Sequence, residues 1–140
     1  VYLDASALVK RYVAEAGSTD VTALLDSAQL VATAVISRAE VAAALAKAAR
    51  MGLADREALA ATLAEVEQDW NDYARLEVNE HAVARAAALA WSQQLRGYDA
   101  VHLACAQVWQ ESLGESVTLA TYDRELWRAA LAVGLKAWPE

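Results

Sequence analysis

Short apolar runs alternate along this chain with longer segments whose apolar residues repeat at helical spacing. The apolar runs predict four strands at residues 1–4, 29–33, 74–78 and 116–121, and a fifth, edge strand at 135–140. The segments between them predict helices at 5–15, 18–28, 37–51, 55–73, 79–96, 99–113 and 123–133. Strands that alternate with helices in this way indicate an α/β fold, in which helices cover both faces of a parallel sheet.

Glycine positions support these boundaries. Five of the predicted helices are each expected to end at a glycine, namely Gly17, Gly52, Gly97, Gly114 and Gly134. Glycine is favoured at that position because it readily adopts the conformation that closes the last helical turn. At 140 residues, the chain is expected to form one domain spanning 1–140.

Four acidic residues are predicted to meet at one edge of the sheet, where parallel α/β folds bind their ligands. Asp4 ends the first strand, and Asp123 follows the fourth strand by two residues. Glu40 lies in the first turn of the helix that leaves the second strand. The helix that begins at Asp99 leads into the fourth strand, so its start should lie at the same carboxyl edge.

Carboxylates brought this close repel one another unless a cation compensates their charge. A ligand set made of oxygens, without cysteine or histidine, suits the hard cations Mg²⁺ and Mn²⁺. Such a cation can activate a bound water and neutralise charge that develops at phosphorus. The pattern therefore predicts a divalent-cation site suited to chemistry on phosphate groups, with Asp4 and Asp99 as the strongest candidates for direct metal ligands.

Each acid also has a purely structural interpretation. Asp99 and Asp123 are good helix N-caps, and Glu40 forms a possible capping box with Ser37 in "SRAE". Asp4 is harder to explain as a cap, because Ser6 offers an alternative one. The acids taken together favour a site over four unrelated caps.

Neighbouring polar residues fit the same picture. Ser6 and Thr121 are expected to support the acids by hydrogen-bonding a carboxylate or a bound water. Basic residues close to the acids in sequence could form a rim that guides phosphates, or belong to ordinary solvated helix faces; they are Lys10, Arg11, Arg38, Arg96 and Arg124. His102, one helical turn after Asp99, is interpreted as a packed or edge histidine.

Overall charge argues in the opposite direction. The chain has 12 basic and 19 acidic residues, a net charge of −7, which by itself disfavours a nucleic-acid binder. That objection weakens if the acids cluster and hold cations. The single cysteine, Cys105, fits a reducing cytoplasm, and no apolar run is long enough to predict a membrane span.

Four motifs in the chain resemble those of the PIN domain family, and in particular of VapC-type toxin ribonucleases from type II toxin–antitoxin systems. They are "YLDASALVKRY", "SRAEVAAAL", "LRGYDAVHLACA" and "LATYDREL", and their order and approximate spacing also agree. The resemblance covers nearly the whole chain. It implies a three-layer α/β/α sandwich around a central parallel sheet of four to five strands, as a single PIN-like nuclease domain.

The resemblance also implies roles for particular residues. Asp4, Glu40, Asp99 and Asp123 would be the acidic metal-binding set, and Ser6 and Thr121 lie where the family often has a supporting hydroxyl. The resemblance further implies an RNA substrate, Mg²⁺ or Mn²⁺ as cofactor, a homodimer, and a cognate antitoxin as partner. Two other classes stay open from the residues alone: a phosphoryl-handling domain of receiver or phosphatase type, and a non-catalytic metal-binding module.

Overall fold

Residues 1–139, which the computed structural model describes, form one five-stranded parallel sheet with seven α-helices. The strands are β1 (Tyr2–Leu3), β2 (Ala32–Ala34), β3 (Ala74–Leu76), β4 (Thr118–Ala120) and β5 (Lys136–Trp138). The helices are α1 (Ala5–Lys10), α2 (Ser18–Ser27), α3 (Ser37–Arg50), α4 (Arg56–Asp69), α5 (Glu80–Gln93), α6 (Gly97–Leu113) and α7 (Arg124–Ala132). The strand order is β3-β2-β1-β4-β5 and every pairing is parallel, so the predicted α/β class is confirmed.

The two residues of the central strand, β1, pack into two separate hydrophobic cores. Tyr2 points into a core with Leu103 of α6 and Leu126 of α7. Its neighbour Leu3 belongs to a second core with Leu8 of α1 and Val41 of α3. Because successive side chains of a strand leave opposite faces, the two cores lie on opposite faces of the sheet. This arrangement is the predicted three-layer sandwich.

The topology places β1 between β2 and β4, so the carboxyl ends of these three strands are neighbours. Leu3 is in register with Ala120, and the next backbone N–H, that of Asp4, donates to the Ala120 carbonyl at 3.2 Å. Asp4 and Thr121 therefore leave adjacent strands side by side. Asp4 therefore lies at the carboxyl edge of the sheet, where the acids were predicted.

Several predicted boundaries were wrong. α1 stops at Lys10 rather than continuing to residue 15, and Gly17 precedes α2 instead of ending α1. Gly17 has φ +90°, and a Cβ there would lie 2.3 Å from the Tyr122 hydroxyl, which donates to the Gly17 carbonyl. This glycine is thus required by a contact with a residue 105 positions away, which no local pattern reveals.

The end of α5 also differs from the prediction. Gln94, with φ +57°, closes α5, and Gly97 is the first residue of α6 instead of the end of the preceding helix. The fifth strand is confirmed at Lys136–Trp138, and Glu140, the last residue predicted for it, lies outside the described residues. Within residues 1–139, no helix has the length and apolar character needed to span a bilayer.

Candidate active site

Asp4 is a buried carboxylate at the end of β1, with only 4% of its surface exposed. Its Oδ1 accepts a hydrogen bond from the Ala7 N–H at 2.8 Å, and its Oδ2 accepts one from the Thr121 hydroxyl at 2.6 Å. The Ser6 hydroxyl also donates to Asp4, at 2.8 Å from Oδ1. Asp4 is therefore the N-cap of α1, and the expectation that Ser6 would take this role was wrong. Ser6 lies within the helix, where it supports the carboxylate instead.

Burial raises the pKa of Asp4 above its ordinary value, although the hydrogen bonds from Thr121, Ala7 and Ser6 and the nearby His102 work against the shift. Desolvation thus outweighs three hydrogen bonds and one electrostatic interaction. Burial destabilises the ionised form of this carboxylate, and a nearby cation would reduce the free-energy cost of ionising it.

The two hydroxyls connect Asp4 to the segment after β4. The Thr121 hydroxyl, which donates to Asp4, also accepts from the Asp123 N–H at 3.0 Å. The Ser6 hydroxyl accepts from the Tyr122 N–H at 2.8 Å. The ends of β1 and β4 are consequently fastened together, which sets the Asp4 and Asp123 segments beside each other.

The two carboxylate oxygens of Asp123 make different contacts. Oδ1 caps α7 by accepting from the N–H groups of Glu125 and Leu126, at 2.9 and 3.0 Å, so the cap interpretation is confirmed. Oδ2 accepts from Arg96 Nη2 at 2.7 Å. Capping and charge pairing therefore coexist in one side chain.

Arg96 also holds Asp99, whose Oδ2 lies 2.9 Å from Arg96 Nε. A single guanidinium thus bridges two carboxylates that come from separate segments of the chain. Asp99 is not a helix N-cap as expected, because α6 starts two residues earlier and its N-cap is Arg96. The positive charge of Arg96 lies between the Asp99 and Asp123 carboxylates.

Glu40 lies in the first turn of α3, but it takes no part in a capping box. The N-cap of α3 is Ile36, and the Ser37 hydroxyl is buried against that of Thr33 at 2.6 Å. Glu40 Oε2 instead lies 2.8 Å from Nε2 of His102. The pattern had indicated a packed histidine, and it is buried, but the link to Glu40 was missed because it joins residues 62 positions apart.

Glu40, Asp99, Arg96 and Tyr98 line the same pocket, which has a volume of about 650 Å³. Apolar residues of α5, among them Val83 and Ala87, form its other wall. The four predicted acids are therefore linked in pairs: Asp4 with Asp123 through Thr121, Asp123 with Asp99 through Arg96, and Asp99 with Glu40 through this pocket.

The donor set can be compared with what a divalent cation requires. Among residues 1–139, no three Asp, Glu, His or Cys side chains stand close enough together to hold a metal ion. Mg²⁺, however, is usually held by one or two carboxylates and keeps several waters. Asp99 and Asp123, which already share one positive group, meet that requirement.

The other predicted basic residues are engaged to different degrees. Lys10 Nζ donates to Glu15 and to the Ala16 carbonyl, each at 2.8 Å, and lies 4.4 Å from the centre of the Tyr122 ring. Arg38 is paired with Glu67 on the α3–α4 side of the molecule. Arg124 lines a smaller pocket together with Thr121 and Asp123. Phosphate contacts by these residues, and by Arg96, stay predictions.

The geometry so far describes an α/β/α domain with paired acids at the carboxyl edge of its sheet, and comparisons with known proteins agree. The family model of the PIN domain matches residues 1–131. Ribonuclease VapC45 of Mycobacterium tuberculosis is 36% identical over 144 aligned residues, which cover 99% of this chain and 94% of the relative. The chain belongs to the PIN domain family, as a VapC-type member.

Solved structures support the fold independently. FitAcB from Neisseria gonorrhoeae superposes with a TM-score of 0.68 at 20% identity, covering 99% of this chain and 96% of that one. A toxin–antitoxin complex from Klebsiella pneumoniae gives 0.62 at 17% identity, covering 88% and 86%. At these identities the likeness concerns the fold.

Proposed function

We propose that this protein is a divalent-metal-dependent ribonuclease that hydrolyses RNA phosphodiester bonds and serves as the toxin of a toxin–antitoxin pair. The observation that carries the proposal is the pair Asp99 and Asp123, which different segments bring to one shared positive charge at the carboxyl edge of the sheet. The name of the VapC45 relative, a ribonuclease, gives the substrate class.

Asp4, Glu40, Asp99 and Asp123 would hold Mg²⁺ or Mn²⁺ directly or through water. When bound, such a cation lowers the pKa of water and stabilises charge on phosphoryl oxygens. Thr121 and Ser6 fix the Asp4 carboxylate by donating hydroxyl hydrogens to it. The Arg96 side chain is 78% exposed. It could contact a phosphate when a bound cation replaces it as the positive partner of Asp99 and Asp123.

The test is cleavage of RNA by the purified chain, free of any antitoxin, with Mn²⁺ or Mg²⁺ and with EDTA. We expect discrete cleavage products with either cation and none with EDTA. Metal binding without cleavage of any RNA would contradict the proposal and would indicate the non-catalytic metal-binding module instead. Formation of a stable acyl-phosphate from acetyl phosphate would indicate the phosphoryl-handling alternative.

An antitoxin and a second copy of the chain are the proposed protein partners. The Klebsiella pneumoniae neighbour is described as a toxin–antitoxin complex, which supports the first. For the second, Trp91 on α5 is 89% exposed, which is unusual for so large an apolar side chain. Growth arrest that is relieved by co-expressing the adjacent reading frame would support the antitoxin, and light scattering on the purified chain would measure the oligomeric state.

Replacing Arg96 should change metal and RNA binding in opposite directions. In Arg96→Gln, Asp99 and Asp123 lose the positive group that competes for their oxygens, so we expect Mn²⁺ to bind a few-fold more tightly. The KM for RNA should rise, because a phosphate contact is lost. Arg85→Gln is the matched control, since it removes another surface ion pair, with Glu111. Unchanged Mn²⁺ affinity in Arg96→Gln would show that the bridge does not compete with metal.

A further inference from the structure

A buried chain of hydrogen bonds connects the centre of the sheet to Glu40. His102, on α6, is 2% exposed, and its Nδ1 lies 2.8 Å from the hydroxyl of Tyr2. Its Nε2 lies 2.8 Å from Glu40 Oε2. Tyr2 is completely buried on β1, so three elements of the fold, β1, α6 and α3, are joined through one imidazole.

The chemistry of the end groups fixes the direction of these bonds. A carboxylate oxygen accepts, so the hydrogen bond between His102 and Glu40 runs from Nε2–H to Oε2. Burial raises the pKa of Tyr2 well above its ordinary value, which keeps its hydroxyl protonated. That hydroxyl can then donate to Nδ1, and the tautomer that carries its hydrogen on Nε2 satisfies both partners.

This arrangement leaves one oxygen of Glu40 available. In the part of the chain that the structure describes, Oε1 accepts no hydrogen bond from a protein group, and Glu40 lines the pocket that Asp99 also lines. The opposite tautomer of His102 would set a nitrogen lone pair against the carboxylate and push it away. Tyr2 disfavours that tautomer, because its hydroxyl already donates to Nδ1.

We propose that His102 is a positioning residue: it holds Glu40 through Nε2–H so that the second carboxylate oxygen serves a divalent cation or its water, and Tyr2 fixes the tautomer. The proposal rests on the proposed function, in which Glu40 belongs to the acidic set. His102 does not act on the substrate itself, because it is buried and both of its nitrogens are engaged.

The experiment is calorimetric titration of the full chain with Mn²⁺, with RNA cleavage measured in parallel. We expect His102→Asn, which is too short to reach Glu40, to weaken Mn²⁺ binding about tenfold, as is typical when the outer partner of a metal ligand is lost. His102→Gln keeps an N–H donor of similar reach and should recover part of the affinity. Tyr2→Phe removes only the hydroxyl and should cause a smaller, few-fold loss.

A double-mutant cycle separates positioning from general damage. In a Glu40→Gln background, His102→Asn should cause no further loss of Mn²⁺ affinity, because the residue it positions no longer carries the charge. A variant that merely distorted the fold would lose affinity in both backgrounds. Tyr12→Phe is the matched control: it removes a tyrosine hydroxyl that is hydrogen-bonded to Tyr73 at 2.8 Å and to Asp69 at 3.2 Å but to none of the four acids, and should bind Mn²⁺ like the parent.

Two results would overturn the proposal: parental Mn²⁺ affinity in folded His102→Asn, or an equal loss with and without Glu40. If His102→Asn does not fold, parental affinity in Tyr2→Phe overturns it. These outcomes leave the proposed function standing as long as the parent cleaves RNA in an EDTA-sensitive manner. Parental Mn²⁺ affinity in Glu40→Gln would overturn the positioning role together with the place of Glu40 in the metal site.

Discussion

Asp123→Asn should reduce RNA cleavage by at least about a hundredfold, the equivalent of about 2.7 kcal/mol in the activation barrier, because the proposed cation loses one of its ligands. Asn accepts backbone hydrogen bonds as Asp does, so the cap of α7 should persist and stability should change little. What disappears is the negative charge that faces Arg96 and, in the proposed function, the cation. Asp99→Asn should have a similar effect for the same reason.

The chain contains a matched control for this prediction. Asp55 caps α4 through the same pattern of donors that Asp123 uses at α7, accepting from the N–H groups of Glu57 and Ala58, although at the longer distances of 3.1 and 3.4 Å. Asp55→Asn should therefore leave cleavage at the parental rate. Rates measured with a labelled RNA in excess Mn²⁺ provide the comparison. Equal activity of the Asp55 and Asp123 variants would mean that Asp123 is a helix cap and nothing more.

Asp4→Asn should reduce cleavage to a similar extent as Asp123→Asn, and it should make the protein more stable at neutral pH. Burial raises the pKa of Asp4, so its charged form is less favourable in the folded chain than in the unfolded one. Its contribution to stability is complete below the ordinary pKa of an aspartate and is lost as the pH rises through the raised value. Asn carries no charge to desolvate, and its amide oxygen can still cap α1.

Thermal unfolding in EDTA at several pH values measures this effect. The Asp4→Asn variant should melt at a higher temperature than the parent at pH 7, and the difference should shrink as the pH falls towards 4. A gain in stability joined to a loss of activity is typical of a residue that function retains against stability. An Asp4→Asn variant that is less stable than the parent at pH 7 would show that the hydrogen bonds to the carboxylate outweigh its burial.

Local patterns predicted much of the fold. The order of strands and helices follows from apolar spacing, a property of neighbouring residues, and each strand and helix occurs at or near its predicted place. The placing of Asp4 and Asp123 near each other could also be predicted, since a residue that follows a parallel strand must emerge at its carboxyl edge, whereas a single site shared by all four acids stays a prediction. The family resemblance reached the same four residues from their motifs, and the PIN domain match confirms the family.

Other predictions failed for one of two reasons: a contact with a distant residue decided the outcome, or two neighbouring residues could take the same role. Gly17 was assigned to the end of α1, but Tyr122 requires it at the start of α2. Ser6 was expected to replace Asp4 as a cap, yet Asp4 caps α1 and Ser6 supports it. Either residue type makes an acceptable N-cap, so the sequence alone could not rank them.

The sequence by itself determined the order of strands and helices and predicted that Asp4 and Asp123 follow neighbouring strands, because these properties depend on periodicity and chain direction. Only the tertiary structure decided what each acid contacts: Thr121 for Asp4, Arg96 for Asp99 and Asp123, and His102 for Glu40. Most of these pairs join residues far apart in the chain. Such partners are selected by the packing of whole elements, which brings together side chains that no local spacing relates.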